Sequence, residues 1–583
     1  MRGMHWRRSL AGAAAGFLLA GAAQGAGFQT VTEKQWNADA VRRVLATFAY
    51  GGQATESQVA RWARMAPADA VAQMLTFEEH NFLLSPDDGD AVASQPGTMK
   101  GLRSFWASNH LLNDTPLDRR SDFAENYWQV SGRTWLRATM TRGLNPFRQR
   151  IGLWETNYHL AVNTGAGVEN DQLEPYYDTI MTGLAANKAY HRVMADAASS
   201  AAVAMQYGHR LNRIVDGACE CNQDFAREFH QLFFGILGHY NPKVHETVTV
   251  PNTARALTDM AVNWTEEEGG WDDAVNFGTD YHDRTTMRVL QEPVQGRTAR
   301  QSITAIAEVA IRHPESLQNL PVKIVAGLAD DNLDETKIQA IREAWAAMPS
   351  KNLLDFIRAY AVSTTFHNPT RFRYLSSIDR QMKIAVQFTT RNREAALDLY
   401  QPEYGLHDED VRVFAPKHNV FGGQTGTDAV GAAMVFQNNF ARSTEYNWMY
   451  RTSGESWGRT FEKDFRRVIP AGETDSYRVD LVAEMLWHRL IGSLRTFGPL
   501  ERAYVYSYLA KRLDAATALG FAQDHAVTTA DLDAKAPEIA ALAATRIALA
   551  ATDADTRDNA NSAIAEAIAF IVATPYMFVE EGR

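Results

Sequence analysis

Residues 334–361 read DETKIQAIREAWAAMPSKNLLDFIRAYA. Ile338, Ile341, Trp345 and Met348 recur at i, i+3, i+7 and i+10, which places them on one face of a 3.6-residue helix. Asp334 is a favoured N-cap and Pro349 a stop, and Leu354, Ile357 and Ala361 resume the pattern after it. The same stripe appears at Val41, Val44, Leu45 and Phe48, at Ile303, Ile306, Ala307 and Ala310, and at Ile564, Ile568 and Ile571. Alternating strand patterns with hairpin turns are scarce. The reading is a mainly α protein: a large multi-helix domain with few or no strands and long loops near 85–100, 262–300 and 400–475, where Gly, Asn, Asp and aromatic residues replace clean periodicity.

The chain has 583 residues, 45% hydrophobic and 22% charged, enough to bury a sizeable core. Its net charge of −11 and the absence of a long basic run argue against a nucleic-acid partner, because phosphate binding needs clustered cations. The first residues, MRGMHWRRSLAGAAAGFLLAGAAQGAGFQT, put Arg2, Arg7 and Arg8 ahead of an Ala/Gly/Leu stretch and small residues. That is the pattern of an export signal at 1–26, with cleavage after Ala23, Gly25 or Ala26, by the general or the twin-arginine route. No later stretch offers the roughly 18 uninterrupted apolar residues of a spanning helix. The expected location is therefore periplasmic or extracellular, with no transmembrane segment in the mature chain. Residues 27–583 read as one large helical domain, divisible into a helical part 27–130, a core 131–400 and a loop-rich part 401–583.

Several groups of residues have the types that carry chemistry. In NQDFAREFHQLFFGIL (222–237), Asn222 is a good N-cap, and Phe225, Phe229, Leu232, Phe233 and Ile236 share a face while Phe234 points elsewhere, so the helix is expected to be buried on more than one side. Burial would oblige Arg227 and Glu228 to pair, as a structural ion pair or as part of a polar site. Glu228 and His230 are about 200° apart on a helix and do not share a ligand. Glu155 and His159, at i and i+4, share a face suited to metal binding or general-base support. His282-Asp283, with Asp280 two residues earlier, reads as a loop-closing pair or a ligand pair. If these segments converged with Glu228, their nitrogen and oxygen donors would suit zinc or a harder divalent ion. Cys219 and Cys221 are the only cysteines. They read as a local disulfide of small stabilising effect, or as helix-terminal thiols with a redox role. Glu266–Glu268 and Asp330-Asp331 lack the ligand spacing of a calcium loop. Phe440, Tyr446, Trp448, Tyr450, Trp457 and Phe461, with Glu445 and Glu455, read as packing aromatics or as a saccharide site.

NQDFAREFHQLFFGILGHYN resembles the Asn-Glu-aromatic-Ala-Arg-Glu-Leu pattern of the bacterial family called domain of unknown function 1800. VRRVLATFAYGGQATESQVARWARM, RIGLWETNYHLAV, FGTDYHDRTTMRVL, SITAIAEVAIRHPESLQNLPVKIVAGLADD and IAEAIAFIVATPYMFVEEGR resemble further segments of it, in the family's order across most of 38–583. The chain departs from the pattern at Gln223, where the family has Glu, at Met287-Arg288, where it has Lys, and by one extra residue in the Trp segment. Asn222, Arg227, Glu228, His282 and Asp283 match and carry over as candidate polar residues. The resemblance implies export, a helical fold and a sulfatase-like exported partner protein, and it brings no reaction. The expectation is an exported cell-envelope protein acting as a binding or assembly component. The alternative is a metal-dependent hydrolase with a divalent ion held by Glu228, His282 and Asp283, Arg227 as anion binder, and Asn222 and His159 as binding residues.

Overall fold

The structure is a computed structural model that describes residues 27–78 apart from 53, 145–388 apart from 266–269, 477–582, and a few positions between 413 and 469. The leader, the loop at 85–100 and the aromatic group at 440–461 lie outside the described residues. The rest is mainly helical, as the periodicity requires. Helix Glu335–Ala347 starts where Asp334 accepts a hydrogen bond from the Lys337 backbone N–H at 2.9 Å, and it buries Ile341, Ala344 and Trp345. Helix Leu353–Ala361 is capped by Asn352 and buries Leu353, Leu354, Phe356, Ile357 and Tyr360. Helices Asn170–Ala185 and Ala299–Ala310 both pack on Tyr190–Ala198, whose buried Ala195, Ala197 and Ala198 let the backbones approach closely. Helix Pro314–Leu328 packs on Glu335–Ala347, and Pro499–Lys511 on both Val479–Leu490 and Ala554–Ala573. One contiguous apolar cluster runs from Val31 to Met577. No described helix is long and apolar enough to cross a membrane.

The strands among the described residues form five two-stranded antiparallel ribbons. Most lie where the sequence predicts a plain loop, around 262–300. Arg213–Val215 pairs with Ala218–Glu220 through Asp216-Gly217, both at positive φ, the conformation of a tight two-residue hairpin turn. Met287–Val289 pairs with Glu292–Val294. Three-residue strands are too short to show a period of two, which is why the sequence conceals them.

A buried charge network joins the ends of the chain. Asp379 accepts hydrogen bonds from Arg150 and from Arg373 (2.6 Å), and the Asp379 and Arg150 side chains are almost fully buried. Asp379 also forms a reciprocal cap with Ser376 at the start of helix Ser377–Phe388, accepting the Ser376 N–H at 3.1 Å and donating its own N–H to Ser376 Oγ at 3.2 Å. Arg373 pairs in register with Glu580 of the C-terminal strand Val579–Glu581. Glu580 in turn meets Lys383 at 2.8 Å and accepts from Thr47 of helix Ala38–Ala49 at 3.0 Å.

Burial alone would raise the Asp379 carboxyl, but the two guanidinium groups and Ser376 outweigh it and hold it at about 2. Its folded value lies below its unfolded one, so the stabilisation is complete above about pH 4 and is lost as pH falls through about 2. Asp379→Asn should cost about 3–5 kcal/mol in urea unfolding at pH 7, because two buried guanidinium groups lose their counter-charge. A loss under about 1 kcal/mol would show the network to be dispensable.

Candidate functional site

Helix Pro146–Trp154 begins at Asn145, whose side chain accepts the Phe147 and Arg148 N–H groups, and runs directly into a π-helical turn, Glu155–His159. Widening a helix by one residue per turn re-aims the side chains that follow, and such turns recur at functional sites. Here Glu155 and His159 both face inward, and neither side chain is exposed. His159 Nδ1 lies 3.0 Å from Glu155 Oε2 and 2.8 Å from the Tyr190 hydroxyl, which donates to Glu155 Oε1 at 2.6 Å. His159 Nε2 lies 3.2 Å from the Phe233 carbonyl oxygen.

The donor inventory assigns the protons. A carbonyl only accepts, so Nε2 carries a hydrogen. The phenol proton goes to Glu155 Oε1, which leaves one proton between Nδ1 and Glu155 Oε2. Whichever atom holds it, the Glu155 and His159 pair has no net charge, which makes full burial tolerable. Burial lowers the imidazole despite the opposing pull of Glu155, and raises the Tyr190 phenol with Glu155 reinforcing the shift. Trp154 stacks on His159 at 4.8 Å between ring centroids. On its other edge, Trp154 Nε1 would lie 2.3 Å from a Cβ at position 327, so Gly327 is required for helix Pro314–Leu328 to lie against it.

The second element is Asp224–Glu228, followed by a π turn, Phe229–Phe233. It supplies the Phe233 carbonyl to His159 and the Leu232 carbonyl to Lys323 Nζ at 2.8 Å. Lys323 is partly buried, and the desolvation of its ammonium pulls it down to about 8 against the opposing charges of Glu155 and Glu228. Glu228 is raised by burial and by Asp224, with Lys323 and Arg227 opposing, and its Oε2 is buried without a hydrogen-bond partner. The charges of Glu155 and Glu228 both act on Lys323, but no hydrogen bond or ion pair among the described residues joins Glu228 to Glu155 or His159. Among the described residues, no three His, Cys, Asp or Glu side chains are arranged to hold a metal ion.

Arg227 departs from the expectation of burial. It reaches Glu246 at 2.8 Å with both side chains about half exposed, a pair of small energetic weight. Asn222 accepts the Asp224 N–H at 2.7 Å and donates to the Tyr207 carbonyl at 3.1 Å, while Gln223 occupies the capping position expected for Asn222. His230 is buried and lies 2.8 Å from Thr253 Oγ1. His282 Nδ1 donates to the Thr258 carbonyl at 2.9 Å. Asp283 accepts from Arg255 at 2.7 Å, from the Thr285 N–H at 2.9 Å and from the Thr285 hydroxyl at 2.6 Å. Cys219 and Cys221 form a disulfide with Cα atoms 5.3 Å apart. They sit at the end of a hairpin strand, since the helix begins only at Asp224, so of the two readings of this pair the structure has the local disulfide and not helix-terminal thiols. Sequence reasoning missed Tyr190 and Lys323. The available signal was a lysine inside the apolar run Leu320-Pro-Val-Lys-Ile-Val325.

A family profile described as Protein of unknown function (DUF1800) matches residues 43–402, more than half of the chain. The chain belongs to the DUF1800 family. The matched range holds every residue of the buried site, from Glu155 to Lys323, whereas the C-terminal segment IAEAIAFIVATPYMFVEEGR lies beyond it. No curated protein and no solved structure matches the DUF1800 chain.

The lysine generates a test. An ammonium whose folded value is about 8 binds its proton less tightly folded than unfolded, so stability should rise as pH increases from about 8 to about 10.5. The rise due to this group is on the order of 2–3 kcal/mol. Urea unfolding across that range should show the rise in the parent and its loss in Lys323→Met; identical pH profiles would refute the assignment.

Proposed function

We propose that the DUF1800 chain is an exported protein of the cell envelope that acts by binding, and that the surface around its hairpins is what it binds with. The observation carrying this reading is an uneven distribution of exposed apolar side chains. Of the seven large ones among the described residues, Leu211, Leu237, Tyr240, Trp264 and Tyr281 fall between 211 and 281. Single exposed apolar residues need no explanation, but a grouped set marks an interaction surface.

Three of them are tied together. The Ile214 N–H donates to the Tyr281 carbonyl at 2.9 Å, and Asp259 accepts the Tyr281 N–H at 3.1 Å while donating its own N–H to the Asn212 carbonyl at 2.8 Å. Leu211 and Tyr281 thus flank the Asp259 turn. Beside Leu211, the Arg210 guanidinium lies 4.1 Å from the Trp271 ring centroid, and Trp271 packs edge-on against Trp264 at 5.4 Å. Aromatic rings with an arginine are the side chains that most often anchor protein interfaces. The Cys219–Cys221 disulfide on the adjoining hairpin fits an oxidising compartment, as does the leader-like N-terminus. An exported sulfatase-like protein is the partner that the family resemblance suggests.

The test places a photocrosslinking residue at 264, or at the exposed but distant Leu513, in the full chain in cells, after fractionation has established export. A discrete crosslinked partner is expected at 264 and not at 513. Trp264→Ser with Tyr281→Ser should abolish it while changing unfolding free energy by no more than about 0.5 kcal/mol per site. Equal crosslinking at the two positions, or a partner retained by the double variant, would overturn the proposal.

A further inference from the structure

A cavity of about 200 Å³ lies where helix Ala38–Ala49, the turn at Gly492 and the C-terminal strand Val579–Glu581 meet. Ala46, Ile491 and Val579 give it apolar walls, and Arg43 and Arg371 both line it. Two acidic residues line it as well: Glu580 is matched by Lys383 at 2.8 Å and the Thr47 hydroxyl at 3.0 Å, and Glu581 lies at the exposed rim. Neither arginine is matched in this way among the described residues.

Arg371 is buried, and its hydrogen-bond partners are neutral. It donates to the carbonyls of Ala329 at 2.9 Å and Glu581 at 3.3 Å, and its guanidinium carbon lies 4.5 Å from the Phe366 ring centroid. Arg43 donates to His367 Nδ1 at 3.4 Å. That imidazole is neutral, since its Nε2 donates to the Ala361 carbonyl at 3.0 Å and burial, with Arg43 and Arg371 adding, depresses it to about 3. The Nε atoms of both arginines are buried and lack a hydrogen-bond partner. Burial, with the charge of Arg371 adding and that of Asp39 opposing, lowers Arg43 to about 10. Carboxylates act on both from a distance, Asp39 on Arg43 and Glu580 and Asp330 on Arg371, but neither arginine has an ion-pair partner among the described residues; two such cations at one cavity form an arrangement that an anion would bridge.

We infer that this cavity is a binding site for a small oxyanion, a carboxylate or a phosphate, held between Arg43 and Arg371. Guanidinium groups offer planar pairs of N–H donors that match either geometry, and the apolar walls favour an anion with a short carbon skeleton. The site is independent of the hairpin surface and uses none of its residues.

Isothermal titration and thermal unfolding of the purified chain would use sodium succinate and inorganic phosphate, each against sodium chloride at equal ionic strength. A saturable heat and a rise in Tm are expected with at least one of them, and which one responds separates an organic acid from free phosphate. Arg43→Gln should weaken binding about tenfold or more, the loss of one charge-assisted contact. Ala46→Leu, which narrows the cavity and leaves every charge in place, should weaken it as well and serves if the first variant folds poorly. No saturable response of the parent to either anion at millimolar concentration, or parent-like binding in both variants, would overturn the assignment.

Discussion

Asp379 sits between Arg150 and Arg373, and the architecture is organised around that contact. An unpaired guanidinium in an apolar interior is costly, so helix Pro146–Trp154, strand Phe372–Tyr374 and helix Ser377–Phe388 are obliged to meet. The ladder between Arg373 and Glu580 extends the constraint to the C-terminal strand, and Thr47 extends it to the first helix. Replacing such a network by apolar residues need not destabilise a protein, but removing one member does. The network therefore specifies which helices meet more than it adds net stability.

The same helix that supplies Arg150 continues into the π turn that presents Glu155 and His159. The two features are coupled through geometry: the helix that carries Arg150 to Asp379 also brings Glu155 and His159 to Tyr190 and the Phe233 carbonyl. A second π turn on the opposing segment offers the Leu232 and Phe233 carbonyls. With one proton shared by the imidazole and carboxylate, the buried pair carries no net charge, and the lysine beside it holds its proton less tightly than a free one. The hairpin surface stands apart from this interior, with its aromatic side chains turned outward.

Much of this was legible in local sequence. The stripe at Ile338, Ile341 and Trp345 and the cap at Asp334 gave a helix of the expected extent, because an amphipathic face and a side-chain cap are properties of neighbouring residues. The shared face of Glu155 and His159 follows from a four-residue spacing, which the π turn did not disrupt. Arg227 was misjudged for a physical reason: periodicity locates the buried face of a helix but not where its edge meets solvent, and Arg227 lies on that edge. The hairpins at 213–220 and 287–294 escaped notice because three-residue strands carry too little pattern, and one turn uses Leu290-Gln291, without glycine, at positive φ.

The amino-acid sequence alone determined the helical class, the leader-like start and the family resemblance, since each rests on residues within one turn or one motif. Only the tertiary structure decided which charges meet. Arg150 and Asp379 are 229 residues apart, Lys383 and Glu580 belong to elements that touch only after the chain has closed, and the same closure brings Arg43 and Arg371 to one cavity without an ion-pair partner among the described residues. Electrostatic pairing in a core depends on distance and burial, and neither quantity exists until the helices have packed.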